Sequence, residues 1–169
     1  VQNADNDDYT LDYSENRVGV TGTVIDGAAF ATLVGNGIVL RDAESKEIAA
    51  DGSTVIKIYY ARASYTVTYT YGNKIGEAVV ATVRYGATLP EAPVFSVVGY
   101  TFAGWDNKLA ATMPASNLTY NATWEANTDT KFTVEHYYQN ANDDGYTEVA
   151  TEVKYGTTGE MVDGANYKK

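Results

Sequence analysis

The chain nearly repeats its own beginning at its end. Gln2-Asn3-Ala4-Asp5-Asn6-Asp7-Asp8-Tyr9-Thr10 returns as Gln139-Asn140-Ala141-Asn142-Asp143-Asp144-Gly145-Tyr146-Thr147. The offset is a constant 137 residues, and the register runs without a gap through Asp26-Gly27-Ala28 and Asp163-Gly164-Ala165. Over residues 2–30 against 139–167, 13 of 29 positions are identical, where average composition gives about two. Such self-similarity constrains the architecture before any local reading does. Arrays of small units build length or extended surface and seldom house one deep catalytic site.

Three segments open alike. Tyr65-Thr66-Val67-Thr68-Tyr69-Thr70-Tyr71 alternates strictly, with Tyr65, Val67, Tyr69 and Tyr71 on one face. Phe132-Thr133-Val134-Glu135-His136-Tyr137-Tyr138 starts on the same aromatic-Thr-Val pattern. Period-two alternation predicts strands, since a helix would scatter these residues around its axis. By the 137-residue offset, Val1 is expected to end a third such strand. Each opening strand leads to an Asn/Asp/Gly turn, at residues 3–8, 72–76 and 140–145, a composition that predicts hairpin loops. Second strands are expected to close on Arg17-Val18-Gly19, Arg84-Tyr85-Gly86 and Lys154-Tyr155-Gly156.

Module one continues through Ala28–Val34, read as one or two helical turns stopped at Gly35. Ala43–Ala50 is read as helical or irregular, and Thr54–Tyr60 as a last strand. In module two, Gly99–Trp105 reads as a strand, Thr112–Ala115 as a turn and Leu118–Trp124 as the closing strand. The expected fold class is α+β and β-rich. Its modules are 1–63, lacking a first strand, 64–126, and 127–169, the opening part of a third.

Gly99-Tyr100-Thr101-Phe102-Ala103-Gly104-Trp105, Met113-Pro114-Ala115 and Leu118-Thr119-Tyr120-Asn121-Ala122-Thr123-Trp124 together resemble the internalin-type B-repeat (Flg_new-like) family. That resemblance covers residues 64–126. Phe132–Asn140 and Ile48–Arg62 resemble mucin-binding-protein (MucBP-like) repeats of large Gram-positive surface proteins, which extends the likeness to 1–63 and 127–169. The resemblance implies tandem ubiquitin-like β-grasp modules in a wall-anchored, extracellular surface protein, serving as stalk or adhesin. It implies no catalytic residues and no cofactor, so an enzyme is not expected. Host surface glycans or proteins, and neighbouring repeats of the same chain, are the implied partners.

The net charge of −10 repels phosphate backbones, so nucleic acid is not an expected partner. No cysteine is present, which excludes a disulfide framework and thiolate metal sites. No apolar run approaches the ~20 residues of a membrane span, so membrane insertion is not expected. The opening strand around 132–138 and the module without one together suggest strand-exchanged self-association.

Candidate site residues are few. Tyr65, Tyr69, Tyr137 and Trp105 are the aromatic side chains named as ligand contacts, because tyrosine is a low-entropy contact residue and aromatic faces stack on sugars. Against that, Trp105 and Trp124 sit in a unit with little else large to bury, which predicts core. Asp5, Asp7, Asp143 and Asp144 are calcium candidates by residue type. Their turns lack the EF-hand spacing, and solvated hairpin loops are the simpler reading. The single histidine, His136, has no second histidine or cysteine for a metal site, and a packed strand position is expected for it. Lys57, Lys131 and Lys154 stand in strand contexts suited to lysine–asparagine crosslinks. Asn117 and Asn121 match glycosylation sequons but read as ordinary strand residues.

Overall fold

The computed structural model describes residues 1–168. These gather into two compact units. One comprises residues 1–70, 77–93 and 107–121; the other comprises 71–76, 94–106 and the chain from Ala122 on. Among the described residues, helix is limited to two four-residue 3₁₀ turns, Gly27–Phe30 and Gly164–Tyr167. The protein is therefore β-rich, and the α part of the expected α+β class is corrected. The reason is length: seven residues at 28–34 hold too few bonds to offset helix nucleation.

In the first unit, β1 (Val24–Asp26) pairs antiparallel with β3 (Ser45–Glu47), and β2 (Ile38–Ala43) with β4 (Ile58–Arg62). Residues 43–50, expected to be helical or irregular, are thus largely extended. The ladder to β1 supplies their backbone partners, Val24 opposite Glu47 and Asp26 opposite Ser45. β4 begins four residues later than the expected strand start at Thr54. Before it, side chains replace the ladder: the Lys57 N–H donates to the Glu44 carboxylate at 2.9 Å, and the Thr54 hydroxyl to the Glu47 carbonyl at 3.1 Å.

β5 (Ser64–Thr70) and β6 (Val79–Arg84) form the expected hairpin, and β5 runs parallel to the first half of β8 (Leu118–Ala126). The side-chain oxygens of Asn117 and Asn121 bond to Thr66 and Thr70 of β5, so both sequon asparagines serve the sheet. Val67 and Tyr69 are buried as the alternation predicts, and Tyr69 stacks on Tyr120 with centroids 5.6 Å apart. Met113, at 1% exposure, is the largest fully buried side chain. Its N–H donates to the Ala87 carbonyl and its carbonyl accepts from Gly86. The expected turn at 112–115 is therefore also a core plug.

In the second unit, β7 (Tyr100–Trp105) pairs with the last half of β8, and β9 (Thr130–Gln139) with β10 (Tyr146–Gly156). The strand order through β8 is β6-β5-β8-β7. The β7–β8 ladder reproduces β2–β4. Ile38 faces Arg62 and Tyr100 faces Ala126, and a bulge follows at Leu40/Asp42 and at Phe102/Gly104. The two strand pairs thus share one bulged antiparallel register despite different sequences.

The 137-residue repeat is also a structural repeat in its turns. In the first copy, Asn3 Nδ2 donates to Asn6 Oδ1, the Asp8 N–H to Asn6 Oδ1, and the Thr10 hydroxyl to Asn3 Oδ1. In the second, Asn140 donates to Asp143, Gly145 to Asp143, and Thr147 to Asn140. The 3₁₀ turns are capped alike, by Asp26 on the Ala28 N–H and Asp163 on the Ala165 N–H. The copies differ in their strands. Residues 146–156 form β10 against β9, whereas the equivalent 9–19 carry no strand beyond the Gln2–Tyr9 bridge and the Thr10–Val1 bond at their start. The expected second strand ending at Gly19 is thus not formed over residues 11–19.

Candidate functional site

The four aromatic candidates separate by burial. Tyr69 is a core residue at 2% exposure and is withdrawn as a ligand contact. It shares the inner face of β5 with Val67 and lies against Tyr120. Tyr65 is half-buried on the same strand. Trp105 is half-buried and makes edge-on contacts with Phe95 and Phe102, centroids 5.5 and 5.3 Å away. Trp124 stacks on Tyr71, and its Nε1–H donates to the Tyr71 carbonyl at 2.9 Å. The two tryptophans thus stand half-buried in an aromatic cluster with Tyr71, Phe95 and Phe102, short of the full burial expected of core.

Tyr137 is half exposed. On β9 the inner face carries Phe132, Val134 and His136, and the outer face Thr133, Glu135 and Tyr137. Through the ladder, Val153 lies opposite Thr133 and Tyr155 opposite Lys131, while Tyr146 faces Gln139. Tyr137, Tyr146 and Tyr155 therefore share one exposed face of the hairpin. Sequence reasoning named only the first, because the pairing register that brings the other two onto its face is not visible in either strand alone. The Tyr137 hydroxyl donates to Glu135 at 2.7 Å, and that bond to a carboxylate raises its pKa.

The acidic turns hold neighbours. Asp7 pairs with the Arg84 guanidinium, which also donates to the Asn6 carbonyl at 2.8 Å, and Asp5 accepts from the Thr88 N–H at 3.2 Å. Asp143 is spent on its own turn, and Asp144 is exposed. Among the described residues no cluster of His, Cys, Asp or Glu has the makings of a metal site. His136 packs on the inner face as expected, its buried Nε2 without a hydrogen-bond partner and 4.0 Å from Glu152 Oε1. Lys154 is paired with Glu152 at 2.8 Å, which raises its pKa.

The most organised polar sites lie at residues 63 and 127, beside the expected module boundaries, and sequence reasoning did not find them. Within the first unit, the Ala63 N–H donates to the Gly37 carbonyl at 2.8 Å, and the Ala63 carbonyl accepts from the Tyr85 N–H at 2.8 Å. Within the second unit, Asn127 donates to Gly99 at 2.9 Å and accepts from Thr158 at 2.8 Å. Gly37 and Gly99 have φ of +84° and +80°, a region that disfavours side chains. A Cβ on Gly37 would stand 2.4 Å from the Tyr85 ring, and one on Gly99 2.7 Å from the Thr158 hydroxyl. At each place one residue is thus clamped between the carbonyl of a left-handed glycine and a backbone N–H. The signal available in sequence was the pair of glycines, Gly37 and Gly99, standing just before β2 and β7.

At the first junction Arg62 adds a fork. Its Nε donates to the Gln2 carbonyl at 2.8 Å and its Nη1 to the Tyr85 carbonyl at 3.1 Å, while its own N–H donates to Gln2 Oε1. Gln2 is buried at 5% exposure, so its polar groups need these partners.

Away from the junction, Glu44 is held below the ordinary carboxylate range, first by its bond to Lys46 and then by the Lys57 N–H. A depressed carboxylate stabilises the fold above its unfolded pKa, and that contribution is lost as pH falls through the folded value. An NMR acid titration should therefore find Glu44 protonating at lower pH in the folded chain than in the Lys46→Ala variant. Coincident titrations would remove the interaction. No family model matches the chain, and neither the curated proteins nor the solved structures contain a match.

Proposed function

We propose that this chain is a non-catalytic repeat segment of a bacterial cell-surface protein, acting outside the cell as stalk or spacer and as adhesion module. The observation that carries the reading is the junction pattern, built twice from different residues: Ala63 with Gly37 and Tyr85, Asn127 with Gly99 and Thr158. A spacer needs a defined relation between successive modules, and two bonds through one linker residue restrain it far more than a free tether does. The finer fold reading is a row of β-grasp modules. The order β6-β5-β8-β7 with a parallel β5–β8 pair at its centre supports it. Residual dipolar couplings test the spacer. Those from residues 38–62 and 64–84 should fit one alignment tensor, and a need for two would defeat it.

The alternative, a glycan- or host-protein-binding domain, draws support from the exposed face of Tyr137, Tyr146 and Tyr155. Rigid aromatic side chains on one face contribute contact area at low entropy cost. On an array of mucin-type glycans, binding that falls at least tenfold in Tyr137→Ala and Tyr155→Ala would favour the binder. Silence of the unaltered chain would leave the spacer.

A further inference from the structure

The four-stranded sheet ends on β6 at one side, and all four of its strands lie within residues 64–126. Among the described residues β6 pairs with β5 and with no other strand. An edge strand presents a row of unpaired N–H and C=O groups, which proteins blunt with charges, prolines or bulges. The other edges carry such devices. β7 has a bulge at Phe102/Gly104. β10, which holds the place of β6 in the hairpin of 130–156, carries Glu148, Glu152 and Lys154. β6 has none over five residues. Val79-Val80-Ala81-Thr82-Val83 contains no charge and no proline, and its ladder to β5 runs without a register shift.

The register fixes what each face of this edge offers. Val79, Ala81 and Val83 lie opposite Tyr69, Val67 and Tyr65, on the face where Val67 and Tyr69 are buried. Val80 and Thr82 lie opposite Thr68 and Thr66, on the other face. Val79 is 43% and Val80 58% exposed, so side chains that suit a pleated interior stand partly in water on both faces. The stretch is also self-complementary. Turned about a two-fold axis at Ala81, normal to the sheet, it sets Val79 against Val83 and Val80 against Thr82, each twice, and Ala81 against itself. Such an axis makes an isologous contact and keeps both inner faces on one side. The valine and threonine pairs are β-branched on both strands, a kind of cross-strand pair that stabilises a ladder. Arg84, held by Asp7 and the Asn6 carbonyl, falls outside it.

We propose that the β6 edge is a self-association surface, on which a second copy of this chain lays its own β6 antiparallel, with Ala81 facing Ala81. The β5–β6 hairpin of one copy then continues into that of the other by main-chain hydrogen bonds, as strand addition does generally. The self-complementary register argues for the partner, and charge argues for the place. Each copy carries a net charge of −10, so two copies repel wherever acidic surfaces meet. The uncharged edge is where contact costs least. This contact uses β5 and β6 alone and is independent of how successive modules are joined.

Sedimentation velocity of the 169-residue chain over a wide concentration range tests this. A reversible dimer is expected. It should strengthen as salt is added, because screening weakens the repulsion between acidic chains and leaves main-chain bonds in place. Val80→Glu should weaken dimerisation at least tenfold, since it sets a carboxylate diagonal to its own twin across the axis. Thr82→Lys should also weaken it, as lysine on an edge does. Both positions are exposed, so the melting temperatures should stay close to that of the parent. Mixing the two variants tests the register. The new carboxylate of one would stand directly opposite the new ammonium of the other, and the heterodimer should form at least tenfold more tightly than either homodimer. A chain that stays monomeric throughout overturns the proposal. So does a dimer that salt dissociates, or one that Val80→Glu leaves intact, which would assign the contact to another surface. Failure of the mixture to associate overturns the pairing at Ala81.

Discussion

Met113→Ala is expected to destabilise the protein by about 2–5 kcal/mol, the range for emptying a buried long aliphatic site. The side chain is 1% exposed, and its backbone is fixed on both sides. The Met113 N–H is tied to Ala87 at 2.9 Å, and its carbonyl takes the Gly86 N–H at 2.8 Å. A site held that way has little freedom to collapse into the space left by the lost atoms, which places the loss toward the upper part of the range. Denaturant unfolding with an unchanged m-value would report it as stability. Met113→Leu keeps the volume and should lose less than about 1.5 kcal/mol. A loss below 1 kcal/mol for the alanine variant would mean that the segment 112–115 is not the plug described.

Arg62→Ala should have the second largest effect, about 2–4 kcal/mol, since hydrogen bonds from a charged donor contribute more than neutral ones and their loss strands buried acceptors. The acceptors are the Gln2 and Tyr85 carbonyls, reached at 2.8 and 3.1 Å by different nitrogens of one guanidinium. Two acceptors in separate directions need the planar fork, so Arg62→Lys should recover only part of the loss. The stability change alone would not separate a clamp from ordinary packing. The separating observation is geometric: couplings from 38–62 and 64–84, fitting one alignment tensor in the parent chain, should require two in Arg62→Ala. A destabilised variant that keeps one tensor would make Arg62 a local brace without a role in the junction.

What the sequence made legible followed from local rules, and what it hid depended on neighbours. The alternation at Tyr65–Tyr71 placed Val67 and Tyr69 inward, because period two is a property of a single strand. The Asn-rich turns were readable for the same reason: their side chains bond within six or seven residues. The extended run at 43–50 was missed because its partner β1 lies about twenty residues earlier, and nothing in the run itself alternates cleanly. Tyr69 was misassigned as a contact because an inward face and an exposed one carry the same residue type. The junctions were invisible because a linker alanine and a linker asparagine share no side-chain chemistry. What they share is the backbone N–H and C=O that every non-proline residue carries.

The unequal fates of the two repeat copies bear on how this chain would meet a protease. Residues 146–156 are locked in a ten-pair ladder with β9, and cleavage there requires opening the hairpin first. Their counterparts at 9–19 run exposed beyond the Thr10–Val1 bond, with Leu11 and Val18 standing open to solvent. Unpaired exposed backbone fits an enzyme's cleft directly. Digestion of this 169-residue chain should therefore nick it first between Leu11 and Gly19.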